Sequence, residues 1–87
     1  MIVIELLSGK DCHLCEQANG VIKGVQKDFE FVLKETLLVP GNPLYEKYKE
    51  YIPVVHINGS FSFWHHISDE SLRRELRNLG CPEKELP

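Results

Sequence analysis

A short aliphatic run, Ile2–Leu7, breaks at Ser8-Gly9-Lys10-Asp11 and gives way to apolar residues at helical spacing: Leu14, Ala18, Val21, Ile22 and Val25. Phe29, Phe31 and Leu33 then alternate with Glu30, Val32 and Lys34, the period of a half-buried strand. Strand, helix and strand in this order leave few arrangements. Parallel strands cannot be joined by a tight turn, so the helix is read as the crossover between two of them. Gly20 and Gly24 each lower its intrinsic propensity by up to about 1 kcal/mol relative to Ala, so packing against a sheet has to carry the helix.

The stretch Glu35 to Pro43 contains Pro40, Gly41 and Pro43 and predicts turns. Leu44, Tyr45 and Tyr48 mark a short helix with Glu46, Lys47, Lys49 and Glu50 facing solvent. Pro53 to Ile57 and Ser60 to Trp64, separated by Asn58-Gly59, predict a hairpin with a tight turn. Strict alternation puts Phe61 and Phe63 on one face of its second strand, and Ser60, Ser62 and Trp64 on the other. Ser68 is a candidate cap for a last helix, with Asp69 and Glu70 in its first turn, Leu72, Leu76 and Leu79 on its apolar face, and Gly80 beyond. The order βαβαββα predicts an α/β fold with a four-stranded mixed sheet. The first and last helices cover one face and the short middle helix the other. Tyr45 and Trp64 are read as packing residues, and His56 as a satisfied sheet or surface residue. A single domain over residues 1–81 is expected, followed by a loose tail over 82–87.

Composition narrows the function. Eighty-seven residues support one core and not two. Ten Lys plus Arg against thirteen Asp plus Glu give a formal net charge of -3 with no basic block, which argues against nucleic acid as a partner. No apolar run approaches the ~20 residues that span a bilayer, and the start MIVIELLSGK lacks a basic leader. A soluble, cytoplasmic monomer is the expectation. Three cysteines, two of them close together, do not make the dense disulfide framework of a small secreted scaffold.

Cys12-His13-Leu14-Cys15 stands after the first predicted strand and opens the first predicted helix. The unpaired amides and the field of a helix N-terminus favour negative sulfur at Cys12, and Cys15 is near enough to displace a mixed disulfide. Cys12 is therefore read as attacking thiolate and Cys15 as resolving thiol. Lys10 stabilises a nearby thiolate and Asp11 opposes it; their distances decide which prevails. His13 has three readings: tuning sulfur, contacting a partner, or occupying an exposed first turn.

The strand-to-CHLC turn, Tyr51-Ile52-Pro53-Val54, the Asn58-Gly59 hairpin and the closing helix together resemble the glutaredoxin-like branch of the thioredoxin superfamily over nearly the whole chain. The resemblance implies a thiol-disulfide oxidoreductase that uses a Cys12/Cys15 dithiol-disulfide cycle. It implies that Pro53 is cis and faces the sulfur pair, with backbone beside it holding the partner. Ile52, Pro53, Val54, Lys10, His13 and Leu14 are the candidate binding residues. From the residues alone, Ile52-Pro53 permits a cis bond without requiring one. Typical glutaredoxins join a Cys-Pro-Tyr-Cys site to Thr-Val-Pro and a later Gly-Gly turn with an acidic residue that helps capture glutathione. Here those regions read Cys12-His13-Leu14-Cys15, Tyr51-Ile52-Pro53 and Asn58-Gly59-Ser60, so the usual glutathione clamp is incomplete. Lys10 and Asp69 are candidate contacts for a glutathione carboxylate and ammonium. No permanently bound cofactor is expected. The reductant is glutathione or a protein dithiol of the kind served by a thioredoxin reductase, and the substrate a protein or low-molecular-weight disulfide.

Three other readings compete. Cys12, Cys15, His13, His65, His66 and Cys81 include enough donors for zinc by count, but a closed site needs four that converge. An iron-sulfur cluster on the same cysteines is a further alternative. A noncatalytic partner-binding module would use the same groove, although binding alone does not require a nucleophile and a resolving thiol at this separation.

Overall fold

A computed structural model describes residues 1–84. Along the chain run β1 (Ile2–Ser8), α1 (His13–Gln26), β2 (Phe31–Leu37), α2 (Tyr45–Tyr48), β3 (Val54–Ile57), β4 (Ser60–Trp64) and α3 (Asp69–Asn78). The sheet order is β2-β1-β3-β4. β1 pairs parallel to β2 and antiparallel to β3, and β3 pairs antiparallel to β4. This is the thioredoxin/glutaredoxin-like βαβαββα topology, and it follows from the α1 crossover and the Asn58-Gly59 hairpin. Asn58 and Gly59 take φ of 50° and 81°, the paired left-handed conformation that matches strand twist in a two-residue turn. Asn58 also ties that turn to β1: its N–H donates to the Val3 carbonyl at 2.8 Å, and its Oδ1 accepts from the Val3 N–H at 2.9 Å.

Alternation along β1 divides the core. Ile4 and Leu6 face α1 and α3, where Ala18, Ile22, Val25, Phe29, Val55, Leu72 and Leu76 complete the larger cluster. Leu7 turns the other way, to Leu38, Tyr48 and Val54 beneath α2. Each fully buried Ile, Leu, Val or Phe contributes about 1.5–3 kcal/mol relative to exposure, so most of the stability lies on the α1/α3 side. That burial also offsets the weak helix propensity of Gly20 and Gly24. α3 is set by its cap: Ser68 Oγ accepts from the Ser71 N–H at 3.0 Å while Ser71 Oγ takes the Ser68 N–H at 3.3 Å. The one-turn α2 covers only part of its face and leaves Val32 45% and Phe61 46% exposed. No helix among the described residues is long and apolar enough to cross a membrane.

Four expectations are corrected. β2 begins at Phe31, and Phe29 is instead a buried core residue that forms an isolated bridge with Glu83. The strand then continues through Glu35, Thr36 and Leu37, because Leu6, Leu7 and Ser8 of β1 extend far enough to pair with them. Phe61 and Phe63 lie on opposite faces, since a register shift opposite Val55/His56 leaves Ser62 unpaired and resets the alternation. Phe63 packs on the larger core, while Phe61 lies against Tyr48 and Trp64 on the other face. His56, read as satisfied, has a buried Nε2 without a hydrogen-bond partner among the described residues. Its ring packs against those of Tyr48 and Phe61, whose aromatic carbons offer the nitrogen no partner. Finally, residues 82–84 are not loose. Glu30 N–H donates to the Pro82 carbonyl at 2.9 Å and Lys84 N–H to the Asp28 carbonyl at 2.8 Å, so this segment runs back along the end of the sheet. Residues 85–87 of the expected tail lie outside the described residues.

Candidate active site

The C-terminal end of β1 delivers Gly9-Lys10-Asp11 into a turn in which Asp11 takes φ 50°. Cys12 follows with extended backbone as the N-cap of α1, one position ahead of the helix proper. Its carbonyl accepts from the Glu16 N–H at 3.1 Å and its Sγ from the Cys15 N–H at 3.1 Å. Sulfur thus takes the place of the Ser or Asp oxygen in an ordinary cap, satisfying an amide that the helix leaves unpaired. Cys12 and Cys15 are joined as a disulfide, with Cα atoms 5.2 Å apart. Cys15 is 5% exposed, whereas Cys12 is half-buried, so attack from solvent reaches the Cys12 sulfur.

One cleft reaches this pair, and a second is lined by Gly9 and Lys10 of the turn that precedes it. The first, of about 300 Å³, is lined by both cysteines with Asp11, Glu16, Asn19, Lys23 and Glu35. Glu35 accepts from Asn19 Nδ2 at 2.7 Å and lies 3.6 Å from Lys23 Nζ, so β2 and α1 meet there through polar groups. The other, of about 200 Å³, runs between Lys10, Tyr45, Lys49 and Ile52. Glu46, hydrogen-bonded to Lys49 at 2.8 Å, pushes that ammonium up from the usual lysine range and holds its charge. Lys10 is exposed and makes no ion pair among the described residues. The sequence offered no sign of Asn19, Lys23 and Glu35 at the site, because only the extended β2 brings Glu35 to the cysteines.

The peptide bond Ile52-Pro53 is cis. Ile52 lies against the sulfur turn: a β-carbon on Gly9 would collide with its side chain, so the missing side chain at Gly9 admits it. Among the described residues the backbone N–H and C=O of Ile52 have no hydrogen-bond partner. Val54 differs. It pairs with Leu7 of β1 and Trp64 of β4, and its side chain is fully buried. Its backbone belongs to the interior of the sheet, and Ile52 is the residue with free groups. Pro53 is buried between them.

The remaining candidates separate. His13 is exposed, its Nε2 3.2 Å from Gln17 Nε2 and its Nδ1 3.8 Å from Glu16, so its ring follows the helix surface and not the sulfurs. Leu14 is half-buried in the first turn. Asp69 is held by Arg73 at 2.6 Å. Cys81 donates to the Glu30 carbonyl at 3.3 Å, ahead of the first residue of β2, whereas Cys12 follows the last residue of the parallel β1. They occupy opposite ends of the sheet. Among the described residues no group of three or more His, Cys, Asp or Glu converges as a metal site would require.

A close cysteine pair at a strand-to-helix turn, with one sulfur accessible and a cis proline loop beside it, is the arrangement of a glutaredoxin-type redox dithiol. The family model described as a glutaredoxin-like domain (DUF836) matches residues 3–77. With its topology and its Cys12/Cys15 pair agreeing over that span, the chain belongs to the glutaredoxin-like (DUF836) family of the thioredoxin superfamily.

Proposed function

We propose that the protein reduces disulfides of other proteins or of small thiols by cycling between the Cys12/Cys15 dithiol and the disulfide. The observation that carries this reading is the capping bond from the buried Cys15 N–H to the accessible Cys12 Sγ. In the reduced protein the same amide and the α1 N-terminus favour a thiolate at Cys12, since both stabilise negative sulfur. That thiolate attacks one sulfur of the substrate disulfide, forming a Cys12 mixed disulfide and expelling the other substrate sulfur as a thiolate, which takes up a proton. Cys15 then loses its proton and attacks Cys12 Sγ, releasing the second substrate thiol and closing the Cys12–Cys15 bond. Two thiols of a donor, either two glutathione molecules or one protein dithiol, reduce that bond and leave as the donor disulfide. Each cycle moves two electrons from donor to substrate.

Ile52 is the residue whose free backbone groups suit an extended substrate segment, with Pro53 and Val54 fixing its place and Lys10 lining the same cleft. His13 and Leu14 belong to the first turn of α1, where a bound partner would pass. A reducing cytoplasmic compartment fits a cycle that needs a thiol donor. The test compares a peptide disulfide and a small disulfide, each with glutathione or with a thioredoxin-reductase system as donor. Steady turnover with one donor supports the reading and identifies that donor. No exchange by the reduced protein with either substrate favours the noncatalytic binding module.

A further inference from the structure

His65 lies just beyond β4 with φ 61°, in the left-handed region that residues with a β-carbon seldom adopt. In that conformation its backbone N–H turns toward the loop before β3, donating to the Pro53 carbonyl at 2.8 Å and reaching the Tyr51 carbonyl at 3.2 Å. Its ring Nε2 is 2.7 Å from the Glu50 carbonyl oxygen. A carbonyl only accepts, so Nε2 carries the proton and donates. The ring also stacks on Tyr51, with centroids 6.4 Å apart and planes at 23°. One residue therefore holds the carbonyls of Glu50, Tyr51 and Pro53. The carbonyl it passes over is that of Ile52, the residue with free backbone groups beside the Cys12 turn.

A turn that only needed the left-handed backbone would be served by Gly or Asn. The imidazole adds a donor and a stacked ring, both directed at the loop.

We propose that His65 is a positioning residue for thiol-disulfide exchange, holding Glu50–Pro53 so that the free Ile52 backbone pairs with the extended segment around a substrate cysteine. This role rests on the oxidoreductase reading above. It also specifies the substrate class: a backbone acceptor is useful only to a peptide or protein disulfide, not to a disulfide without amide groups.

The experiment measures turnover of a disulfide-bonded peptide and of bis(2-hydroxyethyl) disulfide by the wild type, His65→Asn and His65→Gln. Asn tolerates the backbone and keeps its N–H but falls short of the Glu50 carbonyl; Gln reaches it. Loss of one hydrogen bond and the stacked ring raises KM for the peptide about three- to tenfold in His65→Asn, with kcat and the small-disulfide rate within about twofold of wild type. His65→Gln recovers the part of that KM that the Glu50 hydrogen bond supplies and not the part due to the ring. An unchanged peptide KM in His65→Asn, or equal losses on both substrates, overturns the positioning role. Should the Asn variant fail to fold, His65→Phe, which keeps the ring and drops the donor, makes the same comparison. A wild type inert toward both disulfides instead overturns the oxidoreductase reading and this role with it, so the two failures are distinguishable.

Discussion

The Cys12–Cys15 turn and Cys81 place the same atom in opposite surroundings. At the turn, Cys12 Sγ accepts an amide hydrogen at the head of α1, and Cys12 lines an open cleft. Cys81 is 6% exposed, packed with the larger core, and donates to the Glu30 carbonyl. Burial pushes its thiol above the usual range, and the nearby Glu30 charge adds to that. One environment stabilises sulfur as an acceptor and leaving group; the other stabilises it as a neutral thiol with no way in. Cysteine chemistry in this protein is therefore set by where the backbone ends a strand or a helix and not by the residue itself.

The sharpest break of that contrast is Cys12→Ser. Serine can cap α1 in its place, so the fold should survive while turnover falls to the uncatalysed background, read by coupled donor oxidation. Full activity would remove Cys12 as nucleophile. In the proposed cycle Cys15→Ser leaves the attacking sulfur and removes the resolving one, so a Cys12 mixed disulfide with a protein substrate should accumulate and be visible on non-reducing gels. Turnover with a strictly dithiol donor should then stop, and any that survives must pass through glutathione.

Alkylation of the reduced protein sharpens the contrast without a substrate. At neutral pH Cys12 should label about 100-fold faster than Cys81, which waits for local opening of the core. Similar rates measured by mass spectrometry would contradict the burial argument. Cys81→Ala should cost about 1–2 kcal/mol through lost packing, a fall in Tm on the order of 4–16 °C for a domain this small, with exchange rates unchanged. The smallest effect is on pH. A thiol raised in the folded state keeps its proton there longer than in the unfolded chain, so its stabilising contribution is complete below the unfolded value of about 9.0. It is lost as pH rises from there through the folded value. Denaturant midpoints should therefore fall across alkaline pH less steeply in Cys81→Ala than in wild type.

Local patterning made much of this legible. The aliphatic run of β1, the helical spacing from Leu14 to Val25, the Asn58-Gly59 turn and the Ser68 cap each act within a few residues, and all four elements formed where that chemistry directs. The element order and the close cysteine pair follow from the sequence in the same way. Features that depend on a distant partner were not readable. β2 extends to Leu37 because β1 is there to pair with it, and Ser62 bulges because β3 sets the register, which sends Phe61 and Phe63 to opposite faces.

At the site, the sequence by itself located the close Cys12/Cys15 pair at a helix start, since capping and spacing are local properties. Only the tertiary structure decided that Glu35 lines the cleft beside them, that Ile52 and not Val54 carries the free backbone, and that His65 holds the carbonyls around it. The reason is physical: which backbone groups remain free is known only after every strand has found its neighbours, and that accounting spans the whole sheet.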